Sequence, residues 1–299
     1  MFVRPFRQLV ALCCAAVLLI GCGEAVGGGK GSVSVAITKD FGAQAVVSAP
    51  PVGVNGATSL LEVLDRVTDT REGTTSITSI DGVDGAWRLW VNGVRVSNAG
   101  KAKVRPGDRV WLDLPGAGVT ASVPAVTGSF PEPFLHGTGG KRIPTRVECT
   151  VPSSAACNAT AKRLTALGVV AARGGINAGT NDETIRVLVG TWSQLRAERD
   201  EAVGRVDKGP QASGIWARFS ADGKSLHVLD AQGATADTFG AGTGLVAATK
   251  IDLRDPVWFV TGTDDAGVEA AVGALDEATL TTGYALAVHD DRGVAVPAR

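Results

Sequence analysis

The segment WRLWVNGVRV, residues 87–96, decides how the first part of this chain folds. Its centre, Asn92-Gly93, is the strongest short-range signal for a two-residue hairpin turn, because both residues tolerate a positive φ. A turn at this position places Trp90 opposite Arg95 on the two strands. The segment therefore predicts an antiparallel hairpin with a fixed register.

Successive side chains in a strand point to opposite faces, so this register separates a core face from an outer face. Trp87 falls on the core face, whereas Trp90 falls on the outer face beside Arg95. In DRVWLDL, residues 108–114, Trp111 also falls on the outer face of its strand. We therefore expect Trp87 to be buried, and Trp90 and Trp111 to be partly exposed.

The two outer tryptophans allow three interpretations. Trp90 can be covered by the Arg95 guanidinium in a cation–π contact. Trp90 and Trp111 can form a stacking platform for a flat ligand, or they can be the surface on which a second domain sits. The sequence leaves these alternatives open, and it makes Trp90, Arg95 and Trp111 the candidate ligand-binding residues.

The sequence around the hairpin predicts one small domain. Apolar periodicity predicts strands at 32–40, 43–50 and 75–83, a helix at 56–67 capped by Thr58 or Ser59, and a last strand at 108–114. One helix on a mixed sheet is typical of a β-grasp-like α+β domain, which we assign to residues 32–115.

These segments also resemble a known family. SLLEVLDRV, ITSIDGV, WRLWVNG and VRPGDRVWLDL follow one another in this order. The order is similar to that in a family of secreted domains of unknown function related to the C-terminal domain of transcobalamin and intrinsic factor. The resemblance implies a β-grasp-like fold outside the cytoplasm. Because the related domain of vitamin carriers closes over cobalamin, it also implies a corrinoid-like ligand and a role beside a membrane transporter.

The N-terminus predicts a lipid anchor. Arg4 and Arg7 precede an uninterrupted apolar run of 12 residues, 9–20, which is too short for a membrane-spanning helix and typical of a secretory signal. Leu19-Ile20-Gly21-Cys22 follows as a lipobox. We expect a signal peptide at 1–21, lipidation of Cys22, a flexible tether at 22–31, and anchoring at the extracytoplasmic face of a cell membrane.

The cysteine count agrees with export. Cys13 and Cys14 leave with the signal peptide and Cys22 takes the lipid, so only Cys149 and Cys157 remain. A pair of cysteines in an oxidising compartment predicts a disulfide, here a local bond between a strand and the following helix. A metal site would need more thiols or a nearby histidine, so we expect no metal.

The second half of the chain predicts an α/β domain with a mixed sheet. A Pro- and Gly-rich stretch at 116–143 is typical of a linker, and residues 144–299 follow as the second domain. Its expected strands are 145–151, 169–174, 184–192, 255–264 and 284–290, with a hairpin around Asp222-Gly223. Its expected helices are 155–168, 193–206 capped by Ser193, 265–280, and the end of the Gly-rich stretch 237–249.

Motifs that would indicate catalysis are incomplete. GAGTGL, 240–245, lacks the last glycine of a dinucleotide-binding loop, and HGTGGKR, 136–142, lacks the first glycine and the hydroxyl residue of a P-loop. His289-Asp290-Asp291 contains metal-ligand types but fits a solvated strand end. Asp264 and Asp265 follow a buried strand, where α/β proteins often bind ligands, or they simply start a helix.

These observations predict a non-enzymatic, lipid-anchored binding protein that presents a small, corrinoid-like ligand to a membrane transporter. The formal charge of −1, which becomes −3 once Arg4 and Arg7 are removed, argues against nucleic acid as a partner. One alternative is a structural or protein-interaction lipoprotein of the cell envelope, in which Trp90 and Trp111 dock a protein or the second domain. The other is an unrecognised hydrolase in residues 144–299.

Overall fold

The computed structural model describes residues 29–116, 118–179, 183–281 and 283–298. The predicted signal peptide, Cys22 and most of the predicted tether lie outside the described residues. We refer to residues 29–116 as the N-terminal part, to 118–144 as the connecting segment and to 145–298 as the C-terminal part. The molecule mixes helices with a larger share of strands, so the expected α+β class is confirmed at this level.

The N-terminal part contains mostly strands. They are β1 (Lys30–Lys39), β2 (Gln44–Ser48), β3 (Val52–Asn55), β4 (Thr58–Ser59), β5 (Thr70–Glu72), β6 (Ile77–Ile80), β7 (Val83–Asp84), β8 (Arg88–Val91), β9 (Val94–Arg95), β10 (Lys103–Val104) and β11 (Arg109–Leu114), with helix α1 (Leu60–Asp65) and a 3₁₀ turn at Ala99–Lys101.

The main sheet of the N-terminal part has the order β2-β1-β11-β8-β9, with β3 also paired to β1. Strands β1 and β11 are parallel, while β2 and β8 run antiparallel to them. Helix α1 covers one face of this sheet and shares a core with Trp87. The helix is shorter than expected because Thr58 and Ser59 pair with β10, and Ser59 precedes it without a side-chain cap.

The hairpin has the predicted register. Trp90 lies opposite Arg95, and the turn residues Asn92 and Gly93 have φ values of 53° and 73°. The Asn92 side chain is buried and accepts a hydrogen bond from the Arg109 amide at 2.8 Å. The turn is therefore fixed by a neighbouring strand as well as by its own residue types.

The C-terminal part alternates strands and helices. Its strands are β12 (Thr145–Cys149), β13 (Ala171–Gly175), β14 (Ile185–Thr191), β15 (Ala217–Phe219), β16 (Leu226–Leu229), β17 (Thr235–Phe239), β18 (Gly244–Lys250), β19 (Pro256–Gly262), β20 (Ala285–His289) and β21 (Arg292–Val296). Its helices are α2 (Ala155–Ala166), α3 (Trp192–Ala197), α4 (Glu201–Asp207), α5 (Pro210–Ser213) and α6 (Asp265–Gly273).

A seven-stranded mixed sheet forms the centre of the C-terminal part, in the order β13-β12-β14-β19-β18-β20-β21. The first four strands are parallel, and the remaining pairings are antiparallel. Helices α2 and α6 pack on one face of the sheet. Helices α3 and α4 and the small sheet β15-β16-β17 pack on the other, in a core shared with the N-terminal part.

Three expectations for the C-terminal part were wrong in detail. The stretch 237–249 forms strands β17 and β18 and no helix. The helix expected at 193–206 is two helices, because Asp200 caps a new helix at Ala202, and the first is capped by Thr191 instead of Ser193. Helix α6 ends at Gly273, well before residue 280.

The predicted disulfide between Cys149 and Cys157 is present. Their Cα atoms are 6.0 Å apart, within the range of about 4.4–6.8 Å that such a bond requires. Cys149 ends β12 and Cys157 lies in the first turn of α2, so the bond joins a strand to the following helix as expected.

The connecting segment is packed against both parts. Its Val126 amide donates to the Gly93 carbonyl of the hairpin at 2.9 Å, and its Thr127 amide donates to the Tyr284 carbonyl at 3.1 Å. Phe130 and Phe134 of the segment lie against Trp258 of the central sheet. Among the described residues, the helices are all too short or too polar to cross a membrane.

Candidate functional site

The two outer tryptophans of the hairpin sheet are buried. Trp90 is 0% exposed and Trp111 is 2% exposed, so the expectation that both are partly exposed was wrong. Their ring centroids are 5.2 Å apart, and the ring of Tyr284 from the C-terminal part meets them edge-on at 5.3 and 5.6 Å. Of the three interpretations, this arrangement corresponds to the seat of the second domain, and it leaves no open stacking platform at these rings.

The sequence pattern suggests that the tryptophans face outward, because polar residues share their faces of the strands. In the structure, those polar residues form hydrogen bonds within the contact between the N-terminal and C-terminal parts. The Trp111 indole donates to the Thr38 hydroxyl at 2.9 Å, and Thr38 donates to the Asp113 carboxylate at 2.7 Å. Tyr284 donates its phenol hydrogen to the other Asp113 oxygen at 2.9 Å. Buried polar groups are stable only when they are paired in this way.

Burial sets the acid–base behaviour of this contact. It raises the pKa of the Asp113 carboxyl, against the effect of hydrogen bonds from Thr38 and Tyr284. It also raises the pKa of the Tyr284 phenol well above its usual value, with the Asp113 charge acting in the same direction. The phenol therefore stays a hydrogen-bond donor at neutral pH.

Arg95 lies over Trp90, with its guanidinium carbon 5.4 Å from the ring centroid, so the cation–π contact, one of the three interpretations left open, is present. Within the described ranges, no protein group accepts a hydrogen bond from this guanidinium and no carboxylate pairs with it. Burial first, and then the nearby charge of Arg88, lower the pKa of Arg95 to about 10. Arg95 is therefore a charged side chain at neutral pH that is partly removed from water and lacks a counter-ion.

Arg88 is a second uncompensated cation, and sequence reasoning did not select it as a site residue. It is only 7% exposed, and its Nη2 donates to the Val119 carbonyl at 2.9 Å. Its Nη1 is buried without a hydrogen-bond partner, and within the described residues no carboxylate forms an ion pair with it. The available signal was that Arg88 and Arg95 share one face of the hairpin.

A cavity of about 440 Å³ borders both arginines, which we call the arginine cavity. It lies beside strands β8 and β9 of the hairpin. Hydroxyl groups and backbone from the start of β6 and from the connecting segment complete the wall. The lining residues are Thr75, Ser76, Ile77, Trp87, Arg88, Leu89, Arg95, Val96, Ser97, Ala99, Thr120, Ala121 and Ser122. The wall contains two cations, several hydroxyls and no acid.

The Gly-rich stretch 240–245 is occupied by the protein itself. The Gly242 amide donates to both carboxylate oxygens of Asp264, at 3.1 and 2.9 Å, and Asp264 also caps α6 at the Gly267 amide. A Cβ on Gly244 would lie 2.4 Å from the Gly267 carbonyl oxygen. The glycines therefore allow α6 to pack closely on β18, and Asp264 acts as a helix cap.

The histidines are engaged in local contacts. His289 Nδ1 lies 2.9 Å from the Thr243 hydroxyl, which itself donates to the Gly240 carbonyl at 2.7 Å. The histidine nitrogen must then donate to Thr243, which is the wrong polarity for a base that activates a hydroxyl nucleophile. The backbone amide and the ring Nδ1 of His136 both contact the Glu132 carboxylate, so this histidine of HGTGGKR makes a local contact. Within the described residues, no three His, Cys, Asp or Glu side chains form a group suited to a metal ion.

Comparison with known proteins adds no assignment: no protein-family model and no curated protein matches this chain.

Proposed function

We propose that this chain is a lipid-anchored extracytoplasmic protein that binds a small anionic molecule in the arginine cavity. The lipobox at Cys22 supports the anchor, and the disulfide between Cys149 and Cys157 supports an oxidising compartment. In this proposal the protein is a binding protein without catalytic activity, and it delivers its ligand to a membrane transporter.

The single observation that carries the proposal is the lack of a counter-ion for Arg88 and Arg95. A cation withdrawn from water costs free energy unless an acid or a set of acceptors compensates it. Here two guanidinium groups share one cavity wall whose lining contains no carboxylate. An anion in the cavity would supply the missing charge, and planar guanidinium groups suit carboxylates and phosphates.

The sheet order and its single helix support the finer proposal that residues 32–115 form a β-grasp-like domain. The parallel pair β1 and β11 lies at the centre of the sheet, with antiparallel strands on both sides, and α1 covers one face. The family resemblance described above points the same way.

The arginine cavity favours recognition of a ligand by its negative charge over recognition by aromatic stacking. A corrinoid held by stacking on Trp90 and Trp111 would require rings that are open to solvent, and both are buried. Negative charge is therefore the feature we propose for recognition, and a corrinoid remains a ligand to test.

Titration of the mature protein with inorganic phosphate, acetate, succinate and a corrinoid at low ionic strength tests this proposal. We expect saturable heat and a change in tryptophan fluorescence with at least one anion. Arg95→Met should weaken that binding about tenfold or more, because it removes a charged donor. Arg163→Met, which changes an exposed arginine on α2, is the matched control and should bind like the wild type. The proposal fails if no anion binds saturably, or if Arg95→Met binds as well as the control.

The burial of Trp90 and Trp111 favours the second candidate, a structural or protein-interaction lipoprotein of the envelope. In that case the tryptophans serve to join the two parts of the chain, and the arginine face receives a protein. Cross-linking in intact cells followed by recovery of a single partner, lost in Arg95→Met, would support this candidate over a small ligand.

A further inference from the structure

A second cavity also borders Arg95. The second cavity has a volume of about 390 Å³, and Arg95 and Val96 line both. Its lining residues are Val91, Val94, Arg95, Val96, Lys101, Ala102, Lys103, Arg105, Thr138 and Gly139. Because Arg95 and Val96 line both cavities, the two cavities are neighbours.

The second cavity is apolar on one side and cationic on the other. Val91, Val94 and Val96 are half-buried hairpin residues. Lys101 and Lys103 are exposed and come from the chain that follows the hairpin. A ligand in this cavity would meet aliphatic side chains before it meets the ammonium groups.

The cations of the second cavity have no acidic partners. Within the described part of the chain, Lys101, Lys103 and Arg105 form no ion pair. Some other surface cations pair, as Arg71 does with Asp84 and Lys141 does with Glu183, whereas others, such as Lys162, form no ion pair among the described residues. The whole chain has a formal charge of −1, so this concentration of unpaired positive charge is local and does not follow from composition.

We propose that the ligand is a dicarboxylate with an aliphatic spacer. This inference rests on the proposed function, and it names the ligand class. One carboxylate lies in the arginine cavity beside Arg95, where a planar guanidinium can take both oxygens. The spacer crosses Val94 and Val96, and the second carboxylate reaches Lys101 and Lys103, which act as mobile point charges.

A chain-length series tests the ligand class. Linear dicarboxylates from succinate to sebacate are titrated into the mature protein beside monocarboxylates of the same length. We expect one dicarboxylate length to bind about tenfold more tightly than its monocarboxylate, because the second charge gains its own partners. Lys101→Gln/Lys103→Gln should abolish this advantage, so that the dicarboxylate binds no more tightly than the monocarboxylate of the same length. Lys162→Gln/Lys224→Gln, which changes two exposed lysines elsewhere, is the matched control.

The outcomes separate this inference from the proposed function. Equal binding of dicarboxylates and monocarboxylates at every length, with dependence on Arg95, would overturn the dicarboxylate inference and leave an anion-binding cavity. An advantage for dicarboxylates that survives Lys101→Gln/Lys103→Gln would also overturn it, because the second charge would then lie elsewhere. Absence of binding by every anion would remove both proposals.

Discussion

Two arginines of this protein lie over tryptophan rings, and their surroundings are opposite. Arg196 is centred 5.9 Å from the ring of Trp192 in the C-terminal part, and Arg95 is 5.4 Å from that of Trp90. Arg196 also bonds Asp207 through Nε and Nη2, both at 2.7 Å. Its remaining hydrogens reach the carbonyls of Phe219, Ser220 and Ala221.

The difference shows which partners surround a structural arginine in this protein. This chain can surround a guanidinium with a carboxylate and three carbonyls when the arginine ties a helix to a sheet. At Arg95 it provides an aromatic ring and a cavity whose lining contains no carboxylate. A charged group in such a place contributes little to stability, and this contrast with Arg196 is the reason that we propose a binding role for Arg95.

The tryptophans under the two arginines should behave alike. Trp90 and Trp192 are both 0% exposed. Replacing either with alanine should lower the free energy of unfolding by about 3–5 kcal/mol, through lost burial and a residual cavity. Chemical denaturation of the two variants measures this. A loss near zero for Trp90→Ala alone would mean that its face is open in solution and that the contact with Tyr284 is wrong.

The two arginines should differ in how much their replacement lowers the free energy of unfolding. Arg196→Met should cost about 2–3 kcal/mol, because Asp207 and several carbonyls lose their donor while remaining partly buried. The same denaturation experiment gives the value. A double-mutant cycle with Asp207→Asn serves as the control, and independent effects of the two changes would argue against the pairing.

Arg95→Met should be neutral or stabilising in the absence of ligand, within about 1 kcal/mol of the wild type. The pH dependence sharpens this prediction. The pKa of Arg95 is lowered to about 10, chiefly by burial, so the unfolded chain holds this proton more tightly than the folded chain. The cost of Arg95 is therefore fully present below pH 10 and is relieved as pH rises above it. Stability curves from pH 7 to 11 should show the advantage of Arg95→Met shrinking at the alkaline end; a growing advantage would contradict the direction of the shift.

The smallest effect is expected at Arg109, a third arginine with an intermediate environment. It bonds the Phe130 carbonyl and pairs with Glu277 at the edge of the contact between the two parts. Because Glu277 is more than half exposed, Arg109→Gln should cost less than about 1 kcal/mol. Thermal melts at low and high salt check this. A loss of stability comparable to that of Arg196→Met would show that the Arg109–Glu277 pair is less exposed to solvent than the structure indicates.

Local chemistry explains which features could be predicted from the sequence. The Asn92-Gly93 turn, the alternation that buries Trp87, and the pairing of Cys149 with Cys157 depend on neighbours in the chain. The burial of Trp90 depends on Tyr284, whose position no local pattern reports. The end of the Gly-rich stretch 237–249 was expected to turn helical, whereas it forms strand β18. In the structure, α6 packs so closely on Gly244 that a side chain at this position would clash with it.

The candidate site was only partly predictable for the same reason. Arg95 was selected because the hairpin register places it beside Trp90. Arg88 was passed over because a charged residue at a strand end is ordinarily solvated. Its burial comes from the connecting segment, whose Val119 carbonyl takes one of its hydrogens, and that segment was expected to be a linker.

The hydrogen bond between Tyr284 and Asp113 spans 171 positions of the chain, and this distance has a consequence for biosynthesis. The hairpin and β11 are made before the residue that covers their tryptophan face, which follows Asp113 by 171 positions. Until then Trp90, Trp111 and the Asp113 carboxyl are uncovered, and surfaces of this kind associate with other chains or are bound by chaperones. The two parts can therefore close only after residue 284 has been made, and termination before residue 284 should yield an aggregating product.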